Sequence, residues 1–131
     1  MSADRDASDF SATSHLRKID ERHSVISGIQ TAEDALARIN DTFGERPDLV
    51  IVYQGVAKGL SQRQIAEELA TRAQPGASQT SVARNVEKLE KLWFLKKPQK
   101  GPHVVRPAWD EEFNLSRELK RILRRHKVAP L

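Results

Sequence analysis

Residues 59–95 read GLSQRQIAEELATRAQPGASQTSVARNVEKLEKLWFL, and this stretch decides the fold class. Two parts of it repeat apolar residues three and four apart, the spacing of one face of an α-helix. The first part begins at Ser61, which can cap a helix, and Gln64 three residues later completes a capping box. The run AQPGA at residues 73–77 then interrupts the pattern, because Pro75 disfavours continued helix and Gly76 accepts positive φ. The stretch therefore predicts two amphipathic helices joined by a short turn.

The second of these helices is predicted to begin after Ser78, the best capping residue beyond the turn. At about 100° per residue, its apolar and polar side chains fall on opposite faces. The apolar face carries Val82, Val86, Leu89 and Trp93, and Leu92 is expected to pack where the helix ends. The polar face carries Ser81, Arg84, Asn85, Lys88 and Lys91. Hydroxyl, guanidinium, amide and ammonium groups of this kind read base edges and bind phosphates.

The whole stretch resembles the DNA-binding unit of winged helix-turn-helix regulators of the bacterial and archaeal MarR and ArsR type. The resemblance rests on GLSQRQIAEELA as a supporting helix and SQTSVARNVEKLEKLWFL as a recognition helix that runs into the wing. This chain has Trp93 where members of that family usually have glycine. The resemblance implies a mainly α fold with a small β-wing, and a recognition helix at about residues 78–92 that enters the major groove.

The wing is predicted at about residues 94–106, directly after the recognition helix. Residues 94–95 and 104–106 are expected to form short strands around the tip KKPQKGPH. Its two prolines favour an irregular tip, because each removes a ladder donor. In the resembled fold the lysines of the wing lie beside or within the minor groove. The alternative is a plain basic loop without a binding role.

Charge is distributed unevenly along the 131 residues, whose formal net charge is +4. Residues 1–60 hold 7 basic and 10 acidic residues, a net of −3, whereas residues 61–131 hold 15 and 8, a net of +7. The basic half contains the helical pair, as a surface for a polyanion requires. The residues predicted to read bases or to position the helix on DNA are Ser78, Gln79, Thr80, Ser81, Arg84 and Asn85. The residues predicted to bind phosphates are Lys88, Lys96, Lys97 and Lys100.

The segments before the helical pair are predicted to form a tail and helices. Residues 1–14 are rich in Ser, Asp and Ala and are expected to be disordered. Residues 15–45 are predicted to be helical, with Leu16, Ile19 and Ile26 in a heptad-like spacing and Thr31 capping a second helix that ends at Gly44. The apolar face of that second helix is Ala32, Ala35, Leu36, Ile39 and Phe43. In the resembled regulators such helices often form a dimer interface, so a homodimer is expected; covering the domain's own core is the alternative.

The winged unit is predicted to span residues 46–107, followed by a basic helix within residues 108–131. Pro47 suits the first turn of a central helix that is apolar beyond one face and stops at Gly59. Asp110 or Asn114 is predicted to cap the last helix. Its apolar residues are Phe113, Leu119, Ile122 and Leu123, and its cations are Arg117, Lys120, Arg121, Arg124, Arg125 and Lys127. Interface packing with secondary DNA contact is the favoured interpretation of this helix.

The remaining composition argues against several other classes of protein. The chain has no cysteine, its four histidines lack a metal-ligand spacing, and no catalytic signature or phosphate-binding loop is present. We therefore expect no metal, no cofactor and no enzymatic activity. No apolar run approaches the roughly 20 residues that span a bilayer, and no secretory signal precedes the first helix. A cytoplasmic protein that does not enter a membrane is expected.

These patterns predict a sequence-specific regulator of transcription that binds double-stranded DNA. Two alternatives stay open at this point. One is a winged-helix adaptor or subunit of a nucleic-acid-processing or defence complex, which uses the same surface to bind protein. The other is a plasmid or phage accessory DNA-binding protein. Sequence patterns of residue type and spacing do not separate the three.

Overall fold

The computed structural model describes residues 31–131 of the chain. Within this range the fold is mainly helical with one small sheet, as predicted. The elements are α1 Ala32–Phe43, α2 Pro47–Ala57, α3 Gln62–Thr71, α4 Gln79–Lys91, β1 Leu95–Lys96, β2 Val104–Val105, α5 Ala108–Phe113 and α6 Leu115–Arg125. The predictions for the tail at residues 1–14 and for the helix with Leu16, Ile19 and Ile26 lie outside the described residues.

Helix α2 is the centre of the core. Its residues 49–53 are all buried, although five consecutive residues cover every side of a helix. Helices α1, α3, α4 and α6 and strand β2 all pack against it. Helix α3 approaches at Gly55, where an added Cβ would lie 2.5 Å from Cγ1 of Ile65. The prediction that this helix is the central one is therefore confirmed.

Helix α1 buries a narrower face than predicted. Ala35, Ile39 and Phe43 are fully buried, but Ala32 is exposed and Leu36 is 44% exposed. These three residues are four apart, Thr42 beside Phe43 is also buried, and together they form the side that α1 turns toward α2 and α6. The predicted apolar face is therefore only partly buried within residues 31–131, because Ala32 and Leu36 lie outside that side.

A row of aromatic rings connects the end of α1 with α5. The ring of Phe94 lies 4.9 Å from that of Phe43 and stacks 4.3 Å from that of Trp109. Trp109 in turn contacts Phe113 at 5.8 Å, so α5 is fastened to the core beside α1. Tyr53 meets the other side of Phe43 at 6.0 Å, and burial, helped by the charge of Asp110, raises the pKa of its hydroxyl. Aromatic contacts of this kind add to the burial of the rings themselves.

The predicted helix beginnings are confirmed. The Ser61 hydroxyl accepts from the N–H of Gln64 at 3.1 Å, and the Gln64 side chain accepts from the N–H of Ser61 at 2.9 Å. The hydroxyl of Ser78 accepts from the N–H of Ser81 at 3.2 Å, and that of Thr31 accepts from the N–H of Asp34 at 3.0 Å. These bonds satisfy amides that have no partner within the helix.

The C-terminal segment forms two helices rather than the predicted one. The break is at Asn114, which has a left-handed φ of 53°. The carboxylate of Asp110 crosses the break and accepts from the N–H and the hydroxyl of Ser116, at 2.6 and 2.8 Å. Helix α6 then packs its apolar side on α1 and α2, and Arg125 donates to the carbonyl of Gly44 at 2.8 Å. The apolar side consists of Leu115, Leu119, Ile122 and Leu123.

Four helices end in the same left-handed turn, although only one of them uses glycine there. In each, the second residue beyond the cap donates back to a carbonyl five residues earlier, at 2.9 Å. The left-handed residues are Gly59 after α2, Ala73 after α3, Trp93 after α4 and Lys127 after α6. Helix α3 therefore ends at a turn centred on Ala73, the first residue of the run 73–77 that was predicted to break the helix.

Replacing Ala73 with glycine is expected to stabilise the fold. Removing the strain of the left-handed conformation stabilises the folded state by roughly 1–2 kcal/mol. The greater conformational freedom of glycine in the unfolded chain offsets about half of this gain. We expect the free energy of unfolding to rise by about 0.5–1 kcal/mol, measured by chemical denaturation. Ala37→Gly, in the exposed middle of α1, is the matched control and should lower it by about 1 kcal/mol. A decrease for both variants would contradict the proposed strain at Ala73.

Candidate nucleic-acid interface

The side of α4 that faces away from the core carries most of the predicted DNA-contacting residues. Val82, Val86 and Leu89 are buried as predicted. Trp93 does not continue this apolar face, because the helix ends at Lys91 and Trp93 lies in the turn beyond it, half-buried. The exposed predicted residues are Ser78, Gln79, Thr80, Arg84 and Lys88, and Lys91 is exposed beside them.

Ser81 and Asn85 lie at the edge of that surface rather than on its outer face. Both are half-buried, and a Cβ added to Gly76 would lie 3.6 Å from Cβ of Ser81 and 3.7 Å from Nδ2 of Asn85. The turn that precedes α4 therefore covers them from one side. Their predicted place opposite the apolar face is wrong, because helical spacing puts them at the flank of the polar arc and the turn folds over that flank.

One acidic residue lies among the cations of α4 and was not considered in the sequence prediction. Glu87 is exposed, three residues after Arg84 and four before Lys91, so it shares their side of the helix. A carboxylate there repels phosphate, but it can accept a hydrogen bond from the amino group of cytosine. The spacing of Glu87 from Arg84 and Lys91 could have been used to predict from the sequence that it lies on this side of the helix.

The strands β1 and β2 form an antiparallel hairpin, here called the hairpin (residues 95–105), that begins four residues after α4. Leu95 pairs with Val105 and Lys96 with Val104, one residue later than the predicted first strand. The predicted phosphate-binding residues Lys96, Lys97 and Lys100 are all exposed. The hairpin therefore presents a basic tip close to the C-terminal end of α4.

A histidine and a glutamate hold the hairpin against α4. Nε2 of His103 lies 2.8 Å from Oε1 of Glu90, and the His103 side chain is 15% exposed. The two residues are thirteen positions apart, so no short spacing in the sequence could have paired them. Their contact gives His103 a positioning role and fixes the hairpin relative to the exposed side of α4.

Trp93 has the left-handed backbone conformation that glycine usually adopts at the end of a helix. Its φ is 69°, its carbonyl accepts from the indole N–H of Trp109 at 2.8 Å, and its ring lies 4.4 Å from the guanidinium carbon of Arg106. Arg106 also donates to the carbonyl of Leu95 at 3.3 Å, and burial lowers the pKa of its guanidinium against the opposing charge of Glu90. These contacts offset a left-handed conformation that costs a bulky residue about 1–2 kcal/mol. The chain consequently enters the hairpin directly from α4.

A second side-chain pair lies at the opposite end of α4, and the sequence analysis did not predict it. Arg46 and Asp48, at the start of α2, line a cavity of about 400 Å³ together with residues of α4 and of the turn before it. Two hydrogen bonds of 3.0 Å join the Arg46 guanidinium to the Asp48 carboxylate. The hydrogen bond from Arg46 to Asp48 raises the pKa of the guanidinium, which burial opposes. The sequence pattern did not predict this pair, because α2 was identified from Pro47 and its apolar residues and not from its charged ones.

Loss of His103 is expected to loosen the hairpin without unfolding α4. His103→Ala removes a side-chain hydrogen bond worth about 1 kcal/mol, so amide exchange in the hairpin should accelerate about fivefold. Hydrogen exchange followed by NMR measures this residue by residue. Lys97→Ala is the control, since its Nζ donates to the carbonyl of Gly101 within the tip, at 3.4 Å. Equal exchange in both variants would show that the His103–Glu90 contact does not hold the hairpin.

Comparison of the chain with protein-family models, curated proteins and solved structures returns no match. Within residues 31–131, no group of three or more histidine, aspartate or glutamate side chains is arranged to hold a metal ion. In the same part of the chain, every helix is too short or too polar to cross a bilayer.

Proposed function

We propose that this protein binds double-stranded DNA sequence-specifically and regulates transcription, as a winged helix-turn-helix protein. In this proposal α3 supports α4, α4 enters the major groove, and the hairpin is the wing beside the adjacent minor groove. The observation that carries the proposal is the position of the basic hairpin, which begins four residues beyond the exposed cationic side of α4 and is held to it through Glu90 and His103. A major groove about 12 Å wide admits a single α-helix.

The residues on this surface divide into two chemical roles. Gln79, Thr80 and Arg84 lie in the first turns of α4, where the side chains of a recognition helix reach base edges. Lys88 and the three lysines of the hairpin are exposed ammonium groups, which bind phosphates without regard to sequence. The proposal requires no cofactor and implies a cytoplasmic protein.

Arg84→Ala tests sequence reading directly. A bidentate contact from Arg84 to guanine is worth about 1–3 kcal/mol of discrimination. We expect binding to a duplex selected from a random library to weaken by this amount, measured by fluorescence anisotropy. Binding to an unselected duplex should change much less. Lys58→Ala is the matched control because it removes one positive charge from an exposed residue at the end of α2, outside α4, the hairpin and the basic last helix. Equal losses on both duplexes would reduce Arg84 to a phosphate anchor.

The lysines of the hairpin are tested by the salt dependence of binding. Each phosphate contact contributes about 0.9 to the slope of log affinity against log salt concentration. Replacing Lys96, Lys97 and Lys100 with alanine should therefore lower the slope by about 2–3, with similar losses on selected and unselected duplexes. An unchanged slope would show that the hairpin does not bind the DNA backbone.

A winged-helix adaptor that binds protein is the second candidate. Two exposed residues favour it: Glu87 in the middle of the α4 surface, and Val104 on the hairpin, which is 43% exposed. A titration with duplex DNA across salt concentrations separates the candidates, because phosphate neutralisation predicts a steep loss of affinity as salt rises. Failure to bind any duplex at low salt would leave the adaptor. A plasmid or phage accessory DNA-binding protein shares the DNA-binding chemistry and differs only in the sites it occupies.

A homodimer is part of the proposal. Leu36 of α1 is exposed, and α1 belongs to the segment of residues 15–45 that is proposed to form the interface. A two-fold dimer would present two copies of α4 to a palindromic site. Sedimentation equilibrium is expected to show a dimer of the full chain, and Leu36→Glu is expected to shift it toward monomer. A wild-type monomer at all concentrations measured would contradict this part of the proposal.

A further inference from the structure

The start of α2 and the start of α4 enclose a polar groove, here called the Arg46 groove. Its lining includes the side chains of Arg46, Asp48, Ser81, Arg84 and Asn85. Two guanidinium groups, a carboxylate, an amide and a hydroxyl therefore surround one cavity of about 400 Å³. The groove lies at the N-terminal end of α4, whereas the hairpin follows the C-terminal end.

Arg46 is held in place by one edge of its guanidinium. Its Nε–H and Nη2–H groups each donate to a different oxygen of Asp48 at 3.0 Å, and the Asp48 side chain is only 5% exposed. The Arg46 side chain remains 42% exposed. A guanidinium has five N–H donors, so the Nη1 group and one hydrogen on Nη2 stay available for a second acceptor. Bidentate pairing fixes the direction in which those donors point.

The local electrostatics favour an anion in the groove. Asp48 lies in the first turn of α2, where its negative charge interacts favourably with the helix dipole. The helix dipole therefore accounts for an acidic residue at this position, but not for the exposed N–H groups of Arg46. Asp48 balances one of the two guanidinium charges. Arg84 makes no ion pair with any other residue of the described range 31–131. The groove thus keeps a net positive charge, with neutral donors from Ser81 and Asn85 on its wall.

We propose that the Arg46 groove binds a phosphate of the DNA backbone. The inference rests on the proposed function and extends it, because it places a backbone contact at the end of the recognition helix that is opposite the hairpin. Arg46 provides the main contact, Asp48 positions Arg46, and the side chains of Ser81 and Asn85 donate to the same phosphate. Arg84 lines the rim, where it strengthens the positive potential and remains free to reach a base. Ser81 and Asn85 therefore position α4 rather than read sequence.

The sharpest variant adds one negative charge to the groove without changing its shape. Asn85→Asp is isosteric, removes an amide donor and brings a carboxylate toward Arg46. Asn40→Asp, on an exposed position of α1, makes the same chemical change away from α4 and serves as the control. We expect Asn85→Asp to weaken duplex binding at least tenfold, on selected and unselected sequences alike, and to lower the salt slope by about 0.9. Equal affinities for the two variants would overturn the proposal.

A second variant keeps the charge and changes the geometry. Arg46→Lys preserves a cation beside Asp48, so the fold is retained, but an ammonium cannot pair with a carboxylate and a phosphate through two fixed edges. Thermal unfolding of each variant confirms that it is folded before binding is compared. Weaker binding by Arg46→Lys, without a change in sequence preference, is the expected result. A change in preference would instead assign Arg46 to base reading and contradict the proposal.

Inorganic phosphate separates a free anion from a backbone phosphate as the ligand. NMR titration with phosphate should shift the amide of Gly76 and the side-chain amide of Asn85 in the wild type, and Asn85→Asp should abolish the shift of the Gly76 amide. If phosphate binds the groove but Asn85→Asp leaves DNA affinity unchanged, the DNA backbone is excluded as the ligand. If the wild type binds no duplex at low salt, the proposed function and this inference both fall. If it binds DNA and only the groove variants have no effect, this inference falls alone.

Discussion

The need to cover α2 on every side determines where the other elements of the described chain lie. Five consecutive residues of α2, at positions 49–53, are buried, which requires neighbours all around the helix. The tightest of these contacts is at Gly55, where the side chain of Ile65 occupies the space of a Cβ. That contact sets the distance of α3 from α2, and α4 packs on both. The orientation of the exposed side of α4 thus follows from a core constraint.

The path of the chain between helices depends on left-handed residues that are mostly not glycine. Ala73, Trp93 and Lys127 each close a helix with the hydrogen-bond pattern that Gly59 closes without strain. At Trp93 the surroundings over-determine the conformation, because the indole of Trp109 binds its carbonyl and the guanidinium of Arg106 covers its ring. Local strain persists where tertiary contacts offset it. The position of the hairpin beside α4 therefore depends on the contacts of Trp109 and Arg106 with Trp93.

Helix α4 is flanked at both ends by hydrogen-bonded side-chain pairs that involve different elements. Glu90 and His103 connect its C-terminal half to the hairpin, and Arg46 with Asp48 flanks its N-terminal turn from α2. Under the proposed function, the backbone of a duplex would be bound on both sides of a single inserted helix. A surface of this kind separates affinity, supplied by the flanks, from sequence preference, supplied by the few residues between them.

The sequence by itself determined the helices, their caps and the basic character of the second half, because periodicity, capping residues and charge are local properties. It identified α3 and α4, the caps at Ser61 and Ser78, the hairpin and the central place of α2. The placement of Ser81 and Asn85 on the polar face was predicted wrongly. That placement, the position of Arg46 beside α4 and the contact of His103 with Glu90 follow only from the tertiary structure, since they depend on residues that meet across the fold. Contacts between residues that are distant in the sequence produce no periodic pattern from which they could be predicted.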